Sequence, residues 1–231
     1  MVKTAFTPVS AGPGRGRNGF NLTFSYSRIY VLLMEILDSI ELDQRLGMRI
    51  KTLRQGRNLT LDMLAGRSGV SRAMISRVER GESSATAALL DRICAGLGIV
   101  LSALFRDDDH AGPLVKRADQ PVWTDPASGY VRHNVSPPGT GSGIEIVDVE
   151  MPAGARVLLD APRSGFRLDQ QVWVLAGEIV IGIGEREHRL GAGDCLAMLL
   201  DGPISFHNPG EGPARYAVVL TAADSRGGRQ T

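Results

Sequence analysis

Arginine is the residue with the most chemistry to offer in this sequence. Between Leu42 and Phe105 ten basic side chains (Arg45, Arg49, Lys51, Arg54, Arg57, Arg67, Arg72, Arg77, Arg80, Arg92) stand against five acidic ones, a balance of +5. Between Gln120 and Leu220 seven arginines face twelve acids, a balance of −5, so the formal +1 of the whole chain conceals a split. A guanidinium is a permanent cation whose planar fork of donors matches phosphate oxygens and the O6/N7 edge of guanine. One half of the chain is therefore composed for a polyanion and the other is not. Catalytic types are scattered by contrast. The four histidines (His110, His133, His188, His207) are too dispersed to suggest a metal set. There is no Gly-x-Ser-x-Gly elbow, no Gly-x4-Gly-Lys phosphate loop and no strand–Gly-x-Gly-x-x-Gly–helix. Gly182-x-Gly184 reads as a hairpin turn. Cys94 and Cys195 do not make a disulfide framework and read as two buried thiols in a reducing cytosol.

The elements that must carry these arginines are helical. Leu46, Ile50 and Leu53 mark one face of a first helix that stops near Gly56 and Asn58. Thr60 is an N-cap for a second, carrying Leu61, Leu64 and Ala65. Ser71 is an N-cap for a third, with Met74, Ile75 and Val78 inward and Gly81 at its end. Ser84 or Thr86 opens a fourth, and Leu101, Leu104 and Phe105 mark a short fifth. Two helices must cross closely around Ala65-x3-Gly69-x5-Ile75-x2-Val78. Ala65 is small at the approach, Gly69 supplies a turn with positive φ, and Ile75 and Val78 pack the second helix back onto the first.

These residues resemble the phage-repressor-like (Xre) helix-turn-helix family. The resemblance runs from Leu46-Gly-x-Arg49 through Leu64-Ala65, Gly69-Val-Ser71 and Ile75-Ser-Arg77-Val-Glu79-Arg80-Gly81 to Leu101-x-x-Leu104-Phe105, about 60 residues at unbroken spacing. It implies double-stranded DNA as the partner, with the leading end of the third helix in the major groove. Ser71, Arg72, Ala73, Ser76 and Arg77 are then the base-edge candidates, and Thr60, Arg49, Arg54 and Arg57 the phosphate candidates. The motif also places Arg54 and Glu79 where they can pair internally. Relatives often carry Gln at the start of the second helix; Leu61 and Asp62 stand there instead.

After residue 119 the apolar period becomes two, and nine strands are predicted between Tyr130 and Leu220, separated by Gly- and Pro-rich turns. Pro152-x-Gly154, Val172 to Gly177, Leu190-x-x-Gly193-Asp194 and Asn208-Pro-Gly210 resemble a cupin, a double-stranded β-helix barrel. The metal pattern of enzymatic cupins, laid here, puts Arg163 and Gly165 or Phe166 at the first two ligands, Gln170 at the third and Ile204 at the last. None of these is a good donor to a metal, so no metal and no cofactor is expected. Arg163, Phe166, Gln170, Val172, Ile204 and Phe206 are instead the candidate lining of a pocket for a small organic effector, a carboxylate or amino-acid-like molecule.

The expected organisation is a disordered extension over 1–33, with Met34 an alternative start, and an all-α five-helix domain over 42–106. A linker over 107–119, an all-β cupin (jelly-roll) domain over 120–222 and a disordered tail over 223–231 complete it. No apolar run reaches the roughly 18 residues that span a bilayer. The function implied is a cytoplasmic, homodimeric, non-enzymatic transcription regulator; the alternative is a cupin metalloenzyme with a helical docking domain.

Overall fold

The fold is taken from a computed structural model that describes residues 40–105, 112–138, 140, 142–160, 168–199 and 202–222. The expected N-terminal extension, the acidic start of the linker, the C-terminal tail and two pocket candidates, Arg163 and Phe166, lie outside the described residues.

Local signals account for the helices. The first, α1, covers 40–56 and buries Leu46 and Ile50. Helix α2 (Leu61–Ser68) starts where Thr60 Oγ1 accepts the Met63 N–H at 3.1 Å and ends at Gly69, which takes φ 69° and donates to the Ala65 carbonyl. Helix α3 (Arg72–Glu79) starts where Ser71 Oγ accepts the Met74 N–H at 3.3 Å. Thr86 caps α4 (Ala87–Leu97) in the same way. Each cap satisfies an N–H that the first helical turn leaves without a partner. The expected fifth helix is a 3₁₀ segment, η1 (Leu101–Phe105).

The second half builds ten strands: β1 (Val122–Thr124), β2 (Val131–Asn134), β3 (Ile144–Met151), β4 (Arg156–Leu159) and β5 (Leu168–Ala176), then β6 (Glu178–Ile183), β7 (Arg186–Gly191), β8 (Cys195–Leu199), β9 (Ile204–His207) and β10 (Ala214–Ala222). All pairings are antiparallel, in one sheet ordered β1-β2-β3-β10-β5-β8 and another ordered β4-β9-β6-β7. Strands β3 to β10 alone give two four-stranded sheets in jelly-roll order, the double-stranded β-helix. Alternate residues of the two sheets (Val147, Val149, Val172, Val174, Ile179, Ile181) are buried between them. Phe206 of one sheet stacks on Tyr216 of the other at 5.8 Å. Asn208, wholly buried, donates to the carbonyls of Met151 and Gly212 and accepts the Gly210 N–H, fastening the loops at one end.

Two sequence expectations need correction. Cys195 is exposed on β8, whereas Cys94 is buried in α4. A strand pattern alternates, and Cys195 falls on its outward phase. Strand β1 was not expected, because three residues are too few to show a period.

The helical half docks directly on the barrel, and residues 39–231 form one compact unit. The Asp125 carboxylate, buried before β2, accepts the Ala87 N–H at the first turn of α4 at 2.9 Å. The ring of Phe105 meets Trp123 at 5.7 Å. The Asp160 N–H donates to Asp91 Oδ2 of α4 at 2.8 Å. Helix α4 is thus pinned to the barrel near its start and again one turn further along.

Candidate nucleic-acid interface

Helix α3 is held from one side only. Ile75, Val78 and Glu79 are buried, whereas Ser71, Arg72, Ala73 and Arg77 are exposed and Ser76 is half-buried. The residues expected at base edges therefore share the open face and leading end of a short helix, which is the geometry needed to enter a groove. Arg77 lies beside Met74 Sδ at 3.8 Å. Arg72 faces Asp62 of α2 at 3.4 Å, with both side chains about two-thirds exposed. That pair is too solvated to hold the arginine back from a stronger anion.

What anchors α3 is a buried ion pair. Arg54 of α1 donates through Nε and Nη2 to the two carboxylate oxygens of Glu79 at 2.6 and 2.9 Å, and through Nη1 to the Leu59 carbonyl at 2.8 Å. The Glu79 carboxylate holds the Arg54 guanidinium above its usual pKa. Arg54 is thus a structural cation that joins α1, the turn before α2 and α3. The phosphate role expected of it gives way to the internal pairing also expected of it. Arg49 is likewise turned inward, its Nε donating to the Ala103 carbonyl of η1 at 3.0 Å. Thr60 and Arg57 remain exposed near the start of α2. The Arg57 guanidinium, in the turn after α1, donates to the Leu53 carbonyl.

Sequence reading missed Arg80. It is exposed, contacts Ser76 Oγ and is clamped by Glu82 at 2.6 and 2.7 Å. That exposed pair holds the Glu82 carboxyl below its usual range. The signal available was spacing, since Arg80 follows Ser76 by one helical turn.

The expected effector lining is partly assembled. Gln170, Ile204 and Phe206 line a cavity of about 90 Å³ between the barrel and the α4–η1 segment. Val172 is fully buried in the barrel core and is not part of that lining. The cavity's permanent cation, among the described residues, is Arg132 of β2, with Tyr130, Tyr216 and Asp91 also on its wall. None of these four was expected there, because α4, β10 and the segment from Tyr130 into β2 are brought to the site only by tertiary packing.

The donors do not suit the metal that a cupin barrel implies. Gln170 and Ile204 occupy the expected third and fourth ligand positions, and neither is a good ligand. Among the described residues no group of three histidine, cysteine or carboxylate side chains could hold a metal ion. His133, His188 and His207 are spread over β2, β7 and β9.

A capped helix pair with an open recognition face, docked on a jelly-roll barrel, defines a helix-turn-helix protein with a cupin-type C-terminal domain. Comparison with known proteins agrees. Residues 50–104 match the family model HTH_3, described as Helix-turn-helix. The chain is 29% identical, over 80% of its own length and 89% of the other's, to the HTH-type transcriptional regulator SutR of Escherichia coli (strain K12). A solved structure of an HTH_3 family transcriptional regulator from Vibrio cholerae matches 80% of this chain and 99% of that one, at a TM-score of 0.68 and 26% identity. More distantly, the hydroxypropylphosphonic acid epoxidase from S. wedmorenis matches 78% of this chain and 97% of that one, at a TM-score of 0.39 and 19% identity. Residues 50–104 are thus an Xre-like helix-turn-helix domain. No helix among the described residues is long and apolar enough to cross a membrane.

Proposed function

We propose that this protein is a sequence-specific, DNA-binding transcription regulator acting as a homodimer. Each protomer places one α3 in the major groove of a half-site, about one helical turn from the other. The observation that carries the reading is the exposed leading edge of α3, where Ser71, Arg72, Ala73 and Arg77 stand clear of the fold while Arg54–Glu79 fixes the helix from behind. The similarity to regulators of E. coli and V. cholerae supports it. Arg72 and Arg77 read base edges; Thr60 and Arg57 hold phosphates. The barrel carries no chemistry of its own and serves as dimerisation and effector module.

The test is selection of DNA from a random pool by the full chain, followed by affinity measurements at the selected site. Arg72→Ala and Arg77→Ala each lose about 1–3 kcal/mol there, and Arg57→Ala weakens binding to every sequence with a shallower salt dependence. Unchanged affinity in both α3 variants overturns the assignment.

A further inference from the structure

Arg132 is a buried and incompletely satisfied cation. It is 8% exposed. Its Nε donates to Asn134 Oδ1 at 3.2 Å, and its guanidinium lies over the Phe105 ring at 5.5 Å. Its Nη2, buried, has no hydrogen-bond partner, and among the described residues no carboxylate forms an ion pair with it. Burial accordingly drives its pKa down. Asp91 of α4 feels the Arg132 charge but is a weak counter-charge. Burial and the neighbouring Asp160 push its carboxyl up to about 7, against the pull of the Asp160 N–H and of Arg132. Tyr130, at about 12, and Tyr216, higher still, stay neutral hydroxyls. A buried cation with an idle donor costs several kcal/mol unless an anion meets it.

The space for that anion is adjacent. The cavity of about 90 Å³ compares with the roughly 10–15 Å³ that one water needs on the same measure, so it admits a small organic molecule. Ile99, Val149 and Phe206 give its wall a large apolar share, and Gln170, Tyr130 and Tyr216 add polar groups; Asp91 and Asp160 also stand on the wall, with the backbone N–H of Asp160 bonded to the Asp91 carboxylate. Among the described lining residues Arg132 is the sole permanent cation. A phosphate or sulfate dianion would lack a second partner there; a monocarboxylate with a short apolar body would not.

We propose that this cavity binds a small organic carboxylate, gripped by the Arg132 fork and enclosed between the α4–η1 segment and the barrel. Its effect on DNA affinity rests on the regulator reading above, because one wall belongs to the DNA-reading half and the other to the barrel. Binding itself does not depend on that reading.

The experiment titrates the full chain with acetate, butyrate and hexanoate, following heat of binding and melting temperature. Butyramide, butylammonium and sulfate at matched ionic strength are the controls. At least one carboxylate binds saturably and raises the melting temperature, and the controls do not. Arg132→Met abolishes the effect without lowering the melting temperature of the unliganded protein, since it removes an unpaired charge. Arg132→Lys, which keeps charge but loses the fork, binds about tenfold more weakly or worse. Ile99→Trp fills the cavity, leaves Arg132 in place and also abolishes binding, which covers the case of an Arg132 variant that fails to fold. The proposal is overturned if no carboxylate outperforms its amide, or if binding survives Arg132→Met or Ile99→Trp. Carboxylate binding by a chain that selects no DNA sinks the regulator reading alone; DNA selection without carboxylate binding sinks the site alone.

Discussion

Two glycines in helical segments, Gly47 in α1 and Gly66 in α2, respond to the same substitution with opposite sign. Alanine in a helix interior is worth about 1 kcal/mol over glycine, through reduced backbone entropy in the unfolded chain. At Gly66 nothing lies within 4 Å of the position a methyl would take, so Gly66→Ala realises most of that gain, about 0.5–1 kcal/mol. At Gly47 the methyl would collide with the Val78 carbonyl oxygen and come within 3.0 Å of the Glu79 backbone. Those are main-chain atoms of the recognition helix and cannot swing aside. Helix α1 must back away from α3, which loosens the core that holds Ile50 and Ile75 and stretches the Arg54–Glu79 bridge. Overpacking costs about 1–3 kcal/mol, and a clash with main-chain atoms belongs to the upper end of that range, about 2–3 kcal/mol. Set against the propensity gain, Gly47→Ala loses about 1–2 kcal/mol, and the two variants differ by about 2–3 kcal/mol. Urea denaturation measures the difference directly. For a unit of this size each kcal/mol moves the melting temperature by about 2–4 °C. A Gly47→Ala protein as stable as the parent, or a destabilised Gly66→Ala, would refute the close α1–α3 packing.

Arg54→Met leaves the Glu79 carboxylate buried without a partner and should cost about 3 kcal/mol in urea denaturation, reduced in Arg54→Met/Glu79→Leu; a single-variant loss under 1 kcal/mol contradicts a buried bridge. Asp62→Asn frees Arg72 and removes a negative charge from the start of α2. Affinity for all DNA should rise about two- to fivefold at low salt, an effect that fades as salt increases; filter-binding titrations showing weaker binding would oppose placing α2 at the phosphates. Asp91 should make stability pH-dependent. Its folded pKa of about 7 stands above the ordinary aspartate value of 3.8, so the folded state binds the extra proton. Its contribution is fully present below about pH 4 and is lost as pH rises through 7. Denaturation midpoints should fall between pH 5 and pH 8 in the parent and stay flatter in Asp91→Asn; equal slopes would show that Asp91 is not buried at the junction.

Much of the DNA-reading half was legible in the chain because its determinants are local. Thr60, Ser71 and Thr86 cap helices through N–H groups three residues away, and Gly69 turns the chain at a position that requires positive φ. The nine expected strands appear because alternation with a period of two is likewise a short-range signal, and their turns announce themselves through glycine and proline. Tertiary structure alone decided the rest. Gly47 and Gly66 look alike until α3 is laid against one of them. Arg54 and Arg57 sit three residues apart at the end of α1 and in the turn after it, yet only the first meets Glu79. Arg132 is an ordinary strand arginine until Phe105 and α4 close over it and deprive it of water. Charge and small size are written in single residues, but whether a charge finds a counter-ion, or a small residue a neighbour, depends on which distant segments fold against it.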